Sequence, residues 1–194
     1  MIKIGYYGGT FDPIHFGHLN VCYSILEAGL VDKIFIVPTS QSPLKENAPQ
    51  ASYADRIKMI ELALIGEERI KILDLESIQP AYTIDTLEFL RIRYPHSQIR
   101  LILGSDLVDD FHKWKNYQDL ILYYQPIVVS RQPHNLPEGM EFFEIPLMEI
   151  SSTSIRNRVK NKLKIDHLVP SKVVDYIYSH HLYFLNFKEK KYDQ

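Results

Sequence analysis

The sequence predicts an α/β protein built on a doubly wound parallel sheet, and three observations lead there. Short, β-rich apolar runs alternate with segments of helical spacing. Each strand–helix–strand unit implies a right-handed crossover, which needs a parallel sheet covered on both faces. A length of 194 residues suffices for one sizeable core and not comfortably for two, so 1–194 reads as a single domain.

Taken in order, Ile2 to Tyr7, Lys33 to Pro38, Ile70 to Leu73, Ile99 to Leu103 and Pro126 to Ser130 are predicted strands. Between them, Gly17 to Gly29 carries Cys22, Ile25, Leu26 and Gly29 on one helical side. Tyr53 to Ile65 carries Ile57, Ile60, Ala63 and Leu64, and Ile84 to Arg93 carries Leu87, Leu90 and Ile92. Pro133, Pro137 and Gly139 mark a surface loop over Arg131 to Gly139, followed by a short apolar run near Phe142 to Ile145. Two C-terminal helices close the chain. The first, Ser152 to Asn161, shares its apolar face with Leu163; the second, Ser171 to His180, starts after Pro170 and carries Val173, Tyr176 and Ile177. The polar stretch from about 186 to 194 is expected to fray. This Rossmann-like arrangement places ligands beyond the carboxyl ends of the strands, so functional residues are expected just after Tyr7, Pro38 and Leu103.

Composition narrows the function. Hydrophobic residues make up 45% and charged residues 24%, and no run reaches the 18 or so apolar residues that would span a bilayer. The N-terminus lacks the pattern of a signal peptide and there is one cysteine, Cys22, which together suggest the cytoplasm. A net charge of −2 argues against a dedicated nucleic-acid binder, though not against a small phosphorylated ligand.

Gly8-Gly9-Thr10-Phe11-Asp12-Pro13-Ile14-His15-Phe16-Gly17-His18 follows the first strand. A turn at the two glycines lets backbone amides approach an anion, and the helix start adds unpaired N–H groups. The spacing fits neither a P-loop nor GxGxxG. His15 and His18, three apart, can both face that anion. As imidazolium or neutral donors they suit charge developing in phosphoryl transfer; capping, packing or shared metal ligation are the other uses of such a pair.

The segment resembles the HxGH nucleotidyltransferase superfamily, and its fuller form is similar to the bacterial nicotinate-mononucleotide adenylyltransferases. Four more segments carry that resemblance. Val37 to Lys45 matches a loop ending in Pro-His-Lys, with Leu44 in the place of histidine; Lys45 is otherwise an ordinary surface lysine. Tyr82-Thr83-Ile84-Asp85-Thr86-Leu87 matches a segment that in the family contacts the nicotinate nucleotide, with Ala81 for serine; alone, Thr83 or Asp85 reads as a helix cap. Gly104-Ser105-Asp106 offers a carboxylate for ribose hydroxyls, and Trp114 offers a face for a pyridine ring or for core packing. Ile150-Ser151-Ser152-Thr153-Ser154-Ile155-Arg156 opens a helix whose cap, dipole and guanidinium can meet phosphates, while a Ser-rich cap alone is common.

The resemblance implies adenylyl transfer from ATP to nicotinate mononucleotide, with Mg²⁺ carried by the ATP phosphates and no protein metal site. It implies His15, His18, Lys45 and Arg156 as the catalytic set. Gly8, Gly9, Thr10, Phe11, both histidines, Gly104, Asp106, Ile150, Ser151, Ser152 and Arg156 would bind ATP. Lys45, Tyr82, Thr83, Asp85 and Trp114 would bind the acceptor. Other readings are an HxGH enzyme using nicotinamide mononucleotide or phosphopantetheine, a non-catalytic nucleotide sensor, or a structural α/β domain. A homo-oligomer is compatible with the sequence.

Overall fold

A computed structural model describes residues 1–39, 48–75, 82–130, 136–146 and 148–184. Its organising element is a six-stranded parallel sheet in the order β3-β2-β1-β4-β5-β6. The strands are β1 (Ile2–Gly9), β2 (Lys33–Pro38), β3 (Ile70–Ile72), β4 (Ser97–Gly104), β5 (Ile127–Ser130) and β6 (Glu141–Glu144). The helices are α1 (Phe16–Glu27), α2 (Tyr53–Ala63), α3 (Thr83–Arg93), α4 (Tyr117–Tyr124), α5 (Ser152–Lys160) and α6 (Ser171–Ser179).

The chain winds outward from β1 to β3, then returns to the far side of β1 and winds outward again through β4 to β6. The helices that link β1 to β3 and those that link β3 to β5 lie against different cores, as crossovers of one hand require when the chain winds to opposite sides of β1. Buried residues of α1, α2, α5 and α6 pack in one cluster with Ile34, Ile36 and Val129. Those of α3 and α4 pack in another with Ile4, Tyr6, Ile99, Leu101 and Leu103. Strand alternation thus feeds both cores. Gly5 lies where the sheet is tightest: a Cβ there would stand 2.6 Å from Ile102 Cδ1 and 3.3 Å from both Ile34 and Val31.

The reversal of strand order sets the position of the site. β1 and β4 pair only as far as Tyr6 and Leu101; beyond that, β1 continues beside β2 to Gly9 and β4 beside β5 to Gly104. A crevice therefore opens between Tyr7–Gly9 and Ile102–Gly104, at the topological switch point.

Several sequence expectations need correction. Gly8 and Gly9 are the end of β1 and not a turn. Gly29, at φ 67°, terminates α1 in the left-handed region instead of joining its apolar face. The buried side of α2 is Arg56, Met59 and Ile60, turned away from Ile57. Ile92 is 79% exposed and Leu163, beyond the end of α5, is 48% exposed. Helix α4 and strand β6 were not predicted as such. The first is flanked by Asn116 and Gln125 in left-handed conformations, without side-chain caps, and its run of bulky residues blurs the helical period. The second is a four-residue edge strand bounded by glutamates; Arg100 ties it in through Glu141 at 2.8 Å.

Gly5→Ala is expected to cost about 1–3 kcal/mol through overpacking between β1, β2 and β4. The shift in the urea unfolding midpoint measures it, and a change below about 0.5 kcal/mol would show that the sheet relaxes freely there.

Candidate active site

The loop leaving β1 is held from behind by two buried charges. Arg56 Nη1 donates to the carbonyls of Thr10 and Thr39, both at 2.7 Å, joining the exits of β1 and β2. The Asp12 carboxylate accepts from the amides of Gln50 (2.8 Å) and Ala51 (3.1 Å) and from the Tyr183 hydroxyl (2.7 Å). Thr39 N–H and hydroxyl both donate to Gly9 O, closing the end of β1 against the segment after β2. Phe11 sits at φ 48° with its ring buried, edge-on to Tyr7 at 5.6 Å and to His18 at 4.9 Å. A backbone that bulky residues rarely adopt is held there by the packing of that ring.

On this frame the two histidines cap α1 reciprocally. His15 is the N-cap residue: its Nδ1 accepts from His18 N–H at 3.4 Å, and His18 Nδ1 accepts from His15 N–H at 3.3 Å. The rings stack with centroids 3.7 Å apart and planes 20° apart. A ring nitrogen that accepts carries no proton, so each imidazole holds its proton on Nε2. Burial lowers the His15 pKa from 6.5 to about 4, which keeps that ring neutral near pH 7. Of the uses weighed from sequence, capping is the one observed: in each ring one nitrogen serves the helix and the other carries the proton. Gly17 makes the stack feasible, since a Cβ there would come within 3.0 Å of the His15 ring.

Helix α5 is docked against the same loop. Ser151 is its N-cap, accepting from Ser154 N–H at 3.1 Å, whereas Ser152 donates to Pro13 O at 2.9 Å. Arg156 Nη1 donates to Asp12 O at 2.7 Å and stands 3.8 Å from the Asp12 carboxylate, while Nη2 reaches Thr153 Oγ1 at 3.2 Å. Part of the guanidinium is thus committed to fixing the loop. Ile150 leads into this cap with its N–H bonded to Met148 O.

Across the crevice, Gly104 ends β4 and Asp106 lies exposed in the short 3-10 turn Ser105–Leu107. A side chain at position 104 would collide with the Asp106 carboxylate. Trp114 is half-buried, packed on Phe111 at 5.1 Å, and its indole N–H has no hydrogen-bond partner among the described residues. Tyr82 is the N-cap of α3, which has no side-chain cap bond, so neither Thr83 nor Asp85 caps it. Burial pushes the pKa of the Tyr6 hydroxyl, beside Thr83 and Thr86, up to about 12. Asp85 pairs with Lys115 at 2.9 Å, and Lys115 Nζ lies 4.8 Å from the centre of the Tyr82 ring. Lys45, Leu44, Ala81 and the tail from about 186 to 194 lie outside the described residues.

Comparison with known proteins gives the family. The cytidylyltransferase-like family model matches residues 6–158. A probable nicotinate-nucleotide adenylyltransferase of Methylacidiphilum infernorum is 37% identical over 190 residues, covering 95% of this chain and 93% of the relative. The nicotinate-nucleotide adenylyltransferase of Bacillus subtilis is 35% identical over 187 residues, 94% of this chain and 99% of its own. This chain belongs to the nicotinate-nucleotide adenylyltransferase family. In fold it is similar to Plasmodium falciparum nicotinic acid mononucleotide adenylyltransferase complexed with NaAD, with a TM-score of 0.79 at 24% identity over 94% of this chain and 98% of that one.

The first and last segments that carry the sequence resemblance, 8–18 and 150–156, are joined directly by the bonds of Ser152 and Arg156 to the loop. Lys115, next in sequence to Trp114, reaches the segment around Tyr82 through Asp85 and the Tyr82 ring. Sequence reading gave no role to Asp12, Arg56 or Tyr183. Arg56 had a signal: a charged residue four positions before Ile60, on the side of α2 that must be buried.

The lowered His15 pKa has a stability consequence. The unfolded ring binds a proton near 6.5 and the folded ring only near 4, so stability must fall as pH drops through that window. The loss for the native protein should exceed that for His15→Asn, which can still cap α1 but cannot titrate, by up to about 3 kcal/mol. Urea midpoints for both proteins across the window measure it; parallel pH profiles would contradict a buried neutral ring.

Proposed function

We propose that this chain transfers the adenylyl group of ATP to nicotinate mononucleotide, giving nicotinate adenine dinucleotide and pyrophosphate. The carrying observation is the stacked His15–His18 pair at the β1 side of the crevice, in a chain 35% identical over 94% of its length to the Bacillus subtilis nicotinate-nucleotide adenylyltransferase. A phosphate oxygen of the acceptor attacks the α-phosphorus of ATP and the bond to the pyrophosphate oxygen breaks. The nucleophile is already anionic near neutral pH, so the protein need supply positioning and charge stabilisation instead of a strong base.

In this reading His15 and His18 donate to phosphate oxygens through Nε2, with His18 as the transition-state donor. The backbone of Gly8, Gly9, Thr10 and Phe11 lines the nucleotide. Ile150, Ser151 and Ser152 bring the start of α5 to the β- and γ-phosphates, with Arg156 and Lys45 balancing their charge. Gly104 and Asp106 take a ribose, and Trp114 faces the pyridine ring near Tyr82 and Thr83. The indole N–H of Trp114, unpartnered among the described residues, supports a polar ligand group there. Asp85 acts within this subsite through its pair with Lys115.

The donor set at the loop is N–H rich, and the one carboxylate within it, Asp12, already spends its oxygens on internal bonds. That suits Mg²⁺ held by the ATP phosphates and not by a protein cage; when bound, the ion would offset phosphate charge. The reading extends to a single nucleotidyltransferase domain over 1–194 and a cytoplasmic enzyme, and it is compatible with a homo-oligomer. Among the described residues no helix is long and apolar enough to cross a membrane.

Purified protein with ATP and Mg²⁺ should release pyrophosphate fastest with nicotinate mononucleotide when nicotinamide mononucleotide and phosphopantetheine are compared at equal concentration. Preference for another acceptor would reassign the substrate, and release with none would support a nucleotide sensor. His18→Ala should lose about 10²–10³ in kcat. His18→Gln, which can still close the capping box, should fold normally and lose a comparable amount; near-native turnover in both would remove His18 from the transition state.

A further inference from the structure

The buried polar cluster behind the phosphate-side loop extends to the far end of the described chain. Tyr183, 171 positions from Asp12, donates its hydroxyl to Asp12 Oδ1 at 2.7 Å, and the two residues are 6% and 3% exposed. Burial and the adjacent Asp12 carboxylate raise the Tyr183 pKa far above its ordinary value, so the hydroxyl stays protonated and acts as the donor. The segment is bent to make this bond: His181 and Tyr183 stand at φ 52° and 66°, in the left-handed region that bulky residues avoid unless their surroundings fix them. Asp12 in turn holds the amides of Gln50 and Ala51, and its own carbonyl receives Arg156. One carboxylate-bearing residue therefore joins the loop before α1, the segment before α2, the start of α5 and the segment after α6.

We propose that Tyr183 is a positioning residue for adenylyl transfer, which through Asp12 fixes the Thr10–Pro13 loop and Arg156 at the triphosphate. The inference rests on the adenylyltransferase reading above. Without the hydroxyl, Asp12 Oδ1 keeps only the Ala51 amide among the described residues, and the carboxylate can rotate toward Arg156, already 3.8 Å away. That rotation moves the loop that presents His15 and the guanidinium that spans it. The acceptor subsite near Tyr82 and Trp114 stands on α3 and the turns after β4, outside this cluster.

Tyr183→Phe removes one oxygen and keeps the packing volume. It should lower kcat about tenfold, since small misplacements of reacting groups carry rate penalties of this order or larger. Affinity for a non-hydrolysable ATP analogue should weaken about fivefold, while the KM for nicotinate mononucleotide stays native. A variant with a lowered melting temperature but native kcat and native analogue affinity overturns the proposal, because a purely structural bond predicts that pattern. Failure of the native protein to turn over any acceptor would instead strike the functional reading, and analogue affinity would still judge the clasp. Should the variant not fold, amide hydrogen exchange of the native chain decides: saturating ATP analogue must slow exchange at Leu182 and Tyr183, and unchanged exchange there rejects the coupling.

Discussion

Two buried side chains of opposite charge grip the loop at the carboxyl end of β1, and the rest of the site takes its geometry from that grip. Arg56 reaches the Thr10 and Thr39 carbonyls, while Asp12 gathers the Gln50 and Ala51 amides and the Tyr183 hydroxyl. Burying either charge unpaired would cost several kcal/mol, so each is retained where its hydrogen bonds recover that cost and fix a shape apolar residues could not specify. The loop is shaped by the protein's own bonds. Such preorganisation is what a reaction without a general base requires, because its barrier is lowered by groups already aimed at developing charge.

The histidine pair shows how the same frame sets electronic state. Stacking two imidazoles at 3.7 Å would be unfavourable if both were cations; here each gives its Nδ1 lone pair to a backbone N–H and keeps one proton on Nε2. Burial of His15 favours the same neutral form. Positive charge then comes from Arg156 and the start of α5, which reach the loop from the opposite end of the sequence. The division of labour separates imidazoles tied to the start of α1 from a guanidinium tied to the loop before it.

The sheet was legible because strand and helix periods alternate cleanly, and β2 was predicted at its observed bounds. Knowing the strand order would have required knowing that the chain reverses after β3, which no local pattern encodes. The histidines, Ser151 and Arg156 were legible as motif residues, yet their bonding was not. Nothing local says that two histidines close a capping box on each other, or that Ser152 bonds Pro13 while Ser151 takes the cap. Helix α4 escaped because its boundaries are left-handed Asn116 and Gln125 instead of the usual punctuation. Tyr183 escaped because its partner lies at the other end of the chain, and only the fold brings them together.

The central claim, that this frame holds two neutral histidines as Nε2–H donors, is open to direct test by nitrogen NMR of the protein labelled with ¹⁵N-histidine. At neutral pH the His15 and His18 rings should each show an unprotonated Nδ1 and a protonated Nε2, and His15 should remain so well below the pH at which an exposed histidine titrates. A proton on Nδ1 of either ring, or an imidazolium at His15 near neutrality, would contradict the capping arrangement and the electrostatic account built on it.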